Sequence, residues 1–210
     1  MKRHFALAAV LALLPAGAAS AQSASRGQGD WPCRQVRVPS LSMESVWTGP
    51  PIDAAAKAWR EDPEIFDLVA RVSVRRTPIE AAEKLIAEFA KGAGDKGAGD
   101  KRRERLAMLF AGVFERLDTE RREVVAGLDR YGLKQKEMAE KLRLATQNLR
   151  EQQDKAPADP VKTKELGEAL QWDLRIFEER GRALVFVCET PALIEQRLGA
   201  LTRAIRAATP

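Results

Sequence analysis

Residues 101–155, KRRERLAMLFAGVFERLDTERREVVAGLDRYGLKQKEMAEKLRLATQNLREQQDK, return apolar side chains at every seventh position along two interleaved series. One series is Phe110, Leu117, Val124, Tyr131, Met138 and Ala145. The other is Phe114, Leu128, Leu142 and Leu149, with the polar Arg121 and Gln135 at the intervening places. Side chains three and four residues apart share one face of an α-helix, and a seven-residue repeat of such pairs is the pattern of two helices coiled on each other. The segment therefore predicts one long helix with a helical partner. Gly127 and Gly132 each weaken a helix by about 1 kcal/mol relative to alanine, so a kink or break is expected near Tyr131.

The partner follows directly. Ala156-Pro157-Ala158-Asp159-Pro160 turns the chain, and residues 161–188 carry Leu166, Leu170, Leu174, Phe177, Leu184 and Cys188 at matching spacing. A short connection makes the two helices antiparallel, so residues 101–188 read as a helical hairpin. Thr190 and Pro191 are expected to open a separate last helix over 189–210, through Leu193, Ile194, Leu198, Leu201 and Ile205.

Upstream of the hairpin the composition changes three times. Residues 92–100 form a glycine-rich linker, part of a tandem Lys-Gly-Ala-Gly-Asp repeat over 91–100. A glycine-rich loop that cradles phosphate needs a strand before it and a helix after it, and no strand pattern precedes this one. Residues 62–91 hold two short helices, near 62–74 and 77–91. Asp62 before Pro63 is the signal for the first, and Thr77-Pro78-Ile79-Glu80 has the capping-box pattern for the second. Residues 22–61 are a strap rich in proline and tryptophan, in which Pro32, Pro39, Pro50 and Pro51 forbid regular helix. The fold class is thus all-α, a helical bundle with a long antiparallel coiled-coil-like hairpin and an extended N-terminal strap, residues 22–210 forming one domain.

Residues 1–21 read as a cleaved signal peptide. Lys2, Arg3 and His4 make a positive start, Phe5 to Leu14 is apolar, and Ala19-Ser20-Ala21 offers small residues for cleavage near Ala21. The apolar run is too short to span a bilayer, and no later stretch is both long and uncharged. The expected destination is the periplasm or the exterior. Export also explains Cys33 and Cys188, the only two cysteines, which predict one disulfide joining the start of the mature chain to its far end.

Composition then narrows the chemistry. The net charge of +5 falls to +3 once Lys2 and Arg3 are removed, and the remaining charges are interspersed along helices, so no nucleic-acid partner is expected. His4 is the only histidine and leaves with the leader, which excludes Ser-His-Asp and Cys-His catalysis and histidine-based metal sites. No catalytic residue, cofactor or metal is assigned. Carboxylate pairs such as Glu115 with Asp118, or Glu178 with Glu179, leave a hydrolase as the third-ranked reading.

The candidate interaction residues are Trp31, Trp47 and Trp59 on the strap, Arg75 and Arg76 between the short helices, and Arg121 and Gln135 on the seam. The tryptophans either form an aromatic wall for a glycan or a proline-rich peptide, or pin the strap to the bundle, which is the preferred reading. Trp172, on the hairpin, is assigned to packing. Arg75 and Arg76 either hold an anion or complement the C-terminal dipole of the helix before them, and the second is preferred. The basic run Lys101, Arg102, Arg103 and Arg105 invites anionic lipid or lipopolysaccharide on equally limited grounds. Arg121 and Gln135 set register and partner choice, or lie where the seam opens to solvent. The function these features predict is a non-catalytic protein-interaction, scaffold or assembly factor acting through its hairpin on another envelope protein or a second copy of itself. The alternative is a module that uses the strap to bind an anionic or glycan component of the envelope.

Overall fold

The computed structural model describes residues 30–49, 51–52, 55–92, 99–157 and 159–209. The leader and most of the glycine-rich linker lie outside these residues. Among the described residues six helices follow in order: α1 Met43–Val46, α2 Ala55–Ala58, α3 Pro63–Ser73, α4 Ile79–Gly92, α5 Gly99–Gln153 and α6 Pro160–Ala208. Among the described residues there is no strand.

The long hairpin forms as its periodicity requires. α5 and α6 run antiparallel, tied by Arg121 to Glu195, by the Tyr131 hydroxyl donating to the Arg180 carbonyl at 2.9 Å, and by Lys141 to Asp173 at 2.8 Å. Asp159 caps α6 by accepting from the N–H groups of Val161 and Lys162, with Pro160 at the first helical position. In the lower half the hairpin is thickened by α3, α4 and the strap. There Ile65, Ile86, Leu106, Phe110, Leu201 and Ile205 are completely buried in one apolar core. Beyond Lys136, where the strap makes its last ion pair, the two helices continue alone among the described residues. At the rise of an α-helix, the stretch from Glu137 to Gln153 makes a projecting arm about 25 Å long.

Both short helices lie close to their expected bounds. Asp62 accepts from the N–H groups of Glu64 at 3.0 Å and Ile65 at 3.1 Å, which satisfies two of the donors a helix start leaves open. Thr77 departs from the capping-box expectation. Its hydroxyl donates to the carbonyl of Arg71 at 2.8 Å, so it closes the end of α3 instead of opening α4.

Three further expectations are corrected. α5 does not break near Tyr131, and Gly132 has a different purpose. A Cβ built there would stand 1.9 Å from the carbonyl oxygen of Asp30. The glycine therefore lets the strap cross the helix backbone at close range. Next, α6 does not stop before Pro191. The proline lacks the N–H that would pair with the Val187 carbonyl, yet Val187 lies 45% exposed, where water can serve that oxygen. Leu184 and Cys188 on one side of Pro191, and Ile194 and Leu198 on the other, all pack toward α5, and this burial holds the helix together through the lost bond. Lastly, the strap is not wholly extended. α1 forms in the proline-free gap between Pro39 and Pro50, and α2 follows Pro51.

The strap runs back along α5 with its contacts in register. Asp30 meets Lys136 at 2.9 Å, and Arg37 meets Asp129 in a two-pronged ion pair whose shortest contact is 2.7 Å. The backbone N–H of Leu41 donates to Asp118 at 3.1 Å, and Trp47 stacks on Phe110 with ring centroids 4.2 Å apart. The Cys33–Cys188 disulfide closes the upper end, beside Leu128. Gly132→Ala tests the close approach of strap and helix. The added methyl must lift the strap, and the expected loss is about 1–3 kcal/mol by chemical denaturation. Gly167→Ala on the arm is the control, because a Cβ there meets nothing within 4 Å. It should raise stability by up to about 1 kcal/mol through helix propensity alone.

Candidate interaction surface

The sequence-predicted residues divide into those that hold the fold together and those left at its surface. Trp47 and Trp59 are each 6% exposed. Trp59 donates its indole N–H to Glu115 at 3.1 Å and stacks near Phe66, while Gly112 passes so close that a Cβ there would come within 2.9 Å of the indole. Trp31 is half-buried, and its N–H donates to the Gln35 carbonyl at 2.7 Å. The three strap tryptophans thus face the bundle, and the faces of Trp47 and Trp59 are covered.

Arg121 is the most buried charged residue described, with 3% of its side chain exposed. It donates to Glu195 on α6 and, at 2.8 Å, to the Val38 carbonyl on the strap. One guanidinium, with its fork of donors, thereby joins both long helices to the strap. Gln135 is half-buried, and its buried Oε1 meets no hydrogen-bond donor among the described residues. Arg75 and Arg76 are exposed in the turn between α3 and α4, with Arg75 3.6 Å from Glu120. The helix end beside them is served by a residue the sequence did not single out. Arg197 on α6 donates to the carbonyls of Val72 and Thr77, the latter at 2.9 Å. Burial lowers its pKa from the ordinary guanidinium value. Two residues of the basic run at the start of α5 are also drawn inward, while Lys101 and Arg103 stay exposed. Arg102 donates to the Ala208 carbonyl at 3.0 Å, and Arg105 reaches Asp62 and Glu64 while lying over the Phe89 ring.

Three of the four carboxylates in the two sequence pairs have structural partners too. Glu115 receives Trp59 and Arg60, and Asp118 receives the Leu41 N–H and Arg122. Glu178 faces Arg182 at 3.9 Å on the same helix.

Among the described residues, exposed apolar side chains are scattered singly on the strap, α3 and α5, at Val36, Phe66, Leu133 and Leu144, and are most numerous on α6, where three of them fall in register on its outer side. Trp172 is 62% exposed, Phe186 74% and Leu193 50%. The assignment of Trp172 to packing is therefore corrected: the ring stands out from the arm. The three residues are separated by 14 and 7 positions, four turns and two turns of helix, so they stand in one line. The line is a second heptad series. Its other members are Ala169, Ile176, Glu179, Ala183 and Thr190, alternately three and four residues apart, and all are exposed except the half-buried Ile176 and Thr190. The series that packs on α5, through Leu166, Leu170, Phe177, Leu184 and Cys188, lies about 100° around the helix. The signal was present in the sequence as two overlapping repeats, and the stronger, leucine-rich one masked the other.

A groove of about 500 Å³ beside the disulfide, where strap and α6 meet below the arm, is lined by Pro32, Gln35, Leu184 and Val185 and flanked by Arg34 and Glu189. No helix among the described residues is long and apolar enough to cross a membrane. In comparisons with protein families, curated proteins and solved structures, nothing matches this chain.

Proposed function

We propose that this is an exported, non-catalytic interaction protein of the cell envelope, which presents the outer face of α6 to a protein partner. The observation that carries the reading is the exposed heptad line of Trp172, Phe186 and Leu193 along α6, which runs from the base of the bundle out onto the projecting arm at Trp172. Large apolar side chains aligned and unshielded on a rigid rod mark a surface that is covered in use. A helix laid into such a line would bury it as a helix of a bundle does.

Location in an oxidising compartment is supported by the Cys33–Cys188 bond and by the leader-like composition of residues 1–21. The alternative, a glycan or anion site on the strap, has less support. Trp47 and Trp59 are covered, and Arg37 and Lys136 beside the strap are already paired with Asp129 and Asp30.

The test is site-specific photocrosslinking in cells, with the reactive group placed at Phe186 and, as control, at the exposed Lys134 on α5. A discrete adduct from position 186 and none from 134 is the expected result. Equal labelling from both positions, or none from either with good expression, would overturn the reading.

A further inference from the structure

The exposed line on α6 has a fixed length, and that length suggests its occupant. From Leu193 toward the C-terminus the same side of the helix is partly covered by α3 and α4, where Arg197 reaches the carbonyls of Val72 and Thr77 and Ala200 and Ala204 are half-buried. Toward the N-terminus it is open to the start of α6 at Pro160. The free face is therefore about 35 residues, or about 50 Å, long.

We infer that the occupant of this face is a second copy of the same chain, docked antiparallel about a two-fold axis. This rests on the reading of the α6 line as an interaction surface and names its partner. Three observations point there. The first is size. A strip about 50 Å long and about 10 Å wide on each copy removes on the order of 1,000 Å² in total, which reaches the lower limit for a specific interface.

Shape is the second. An antiparallel copy laid along the free length sets Trp172 against Ala183 of the second copy and Phe186 against Ala169 of the second copy. Symmetry repeats both contacts. Each large ring thus faces a small residue, as interdigitated helix faces require. Trp172 and Phe186 have no such relation to a flat surface.

Charge is the third. Glu179 stands in the line and Glu168, Arg175 and Arg182 flank it, so both signs alternate along it. A helix that lies on an anionic membrane carries mostly Lys and Arg on its polar face, and this one does not. In the antiparallel arrangement the stem of Glu179 lies against Ile176 of the second copy, and its carboxylate falls within reach of Arg175 of the second copy. Arg182 keeps Glu178 on its own helix. A closed two-fold pair also leaves neither copy with a free line, so assembly stops at two.

Size-exclusion chromatography with light scattering on the oxidised mature protein tests the pairing. The expected mass is twice that of one chain, falling to one chain on dilution. Phe186→Glu should raise the dissociation constant at least about a hundredfold, because each dimer loses two buried rings, while the helical circular dichroism stays unchanged. Orientation is read by mixing two proteins, one carrying Trp172→Cys and the other Ala183→Cys. The mixed disulfide should form readily, and the Trp172→Cys protein alone should not crosslink to itself. A monomer at all concentrations, a dimer indifferent to Phe186→Glu, or two copies of the Trp172→Cys protein joined through the introduced thiols would each overturn the inference. A monomer that still gives a discrete adduct with a different protein from position 186 in cells would overturn self-pairing and leave the interaction reading standing.

Discussion

Replacing both Cys33 and Cys188 with serine should lower the stability of the fold by about 3–5 kcal/mol and its thermal midpoint by about 10–20 °C, one of the two largest effects expected of any change in this chain. The bridge spans 155 residues. Closing a loop of that length removes conformational entropy from the unfolded chain worth about 5 kcal/mol, and removal of native bridges commonly costs about 2–5 kcal/mol. The native state loses less. Around the missing sulfurs the strap keeps its ion pairs from Arg37 to Asp129 and from Lys136 to Asp30, and Arg121 still holds the Val38 carbonyl. The double variant should therefore fold to the same helical content and unfold earlier. Changing both cysteines avoids a free Cys188 that would link chains together. Adding reductant to the wild-type protein should bring its denaturation midpoint down to that of the variant, and leave the variant unmoved. An unchanged midpoint in the variant would show that the bridge is not a clamp.

The all-α hairpin was legible in the sequence because it depends on one variable, the spacing of apolar residues. Phe110, Phe114, Leu117 and Leu128 recur at three and four residues and their multiples, and each is buried where that spacing puts it. Punctuation residues were harder to read, because their meaning depends on what lies beside them in space. Gly132 suggested a broken helix. It marks instead the point where the Asp30 carbonyl presses against an unbroken one. Pro191 suggested a helix start, and its cost is absorbed by the core that holds both flanks of α6. The same blindness hid Arg197, whose partners Val72 and Thr77 are more than a hundred residues away in sequence. Trp172 was misjudged for a related reason. Aromatic residues on a helix usually pack, and only the position of α5 around α6 shows that this ring points away from it.

Substituting the four tryptophans by alanine one at a time should separate the strap's anchoring role from the arm's surface role, and Trp47→Ala should have the largest effect. Its ring is 6% exposed, lies 4.2 Å from the Phe110 centroid at 17° between planes, and closes the core over a residue that is itself fully buried. Removing a buried aromatic side chain and leaving a cavity costs about 3–5 kcal/mol. Gly49 lies against this ring so closely that a Cβ there would stand 2.2 Å from it, so the backbone cannot readily move in to fill the space. Trp59→Ala should follow closely, with its indole hydrogen bond to Glu115 lost as well. Trp31→Ala, at a half-buried site in the small cluster around the disulfide, should cost less. Trp172→Ala should leave unfolding unchanged when measured in the Phe186→Glu background, where no pairing of copies contributes. Chemical denaturation of the four variants gives the ranking directly. A strap that served as an aromatic wall would give the opposite order, with Trp47→Ala and Trp59→Ala harmless to stability. The expected order makes the strap a fixed part of the bundle, held in place by its tryptophans, and leaves the outer face of α6 as the surface proposed to meet a partner.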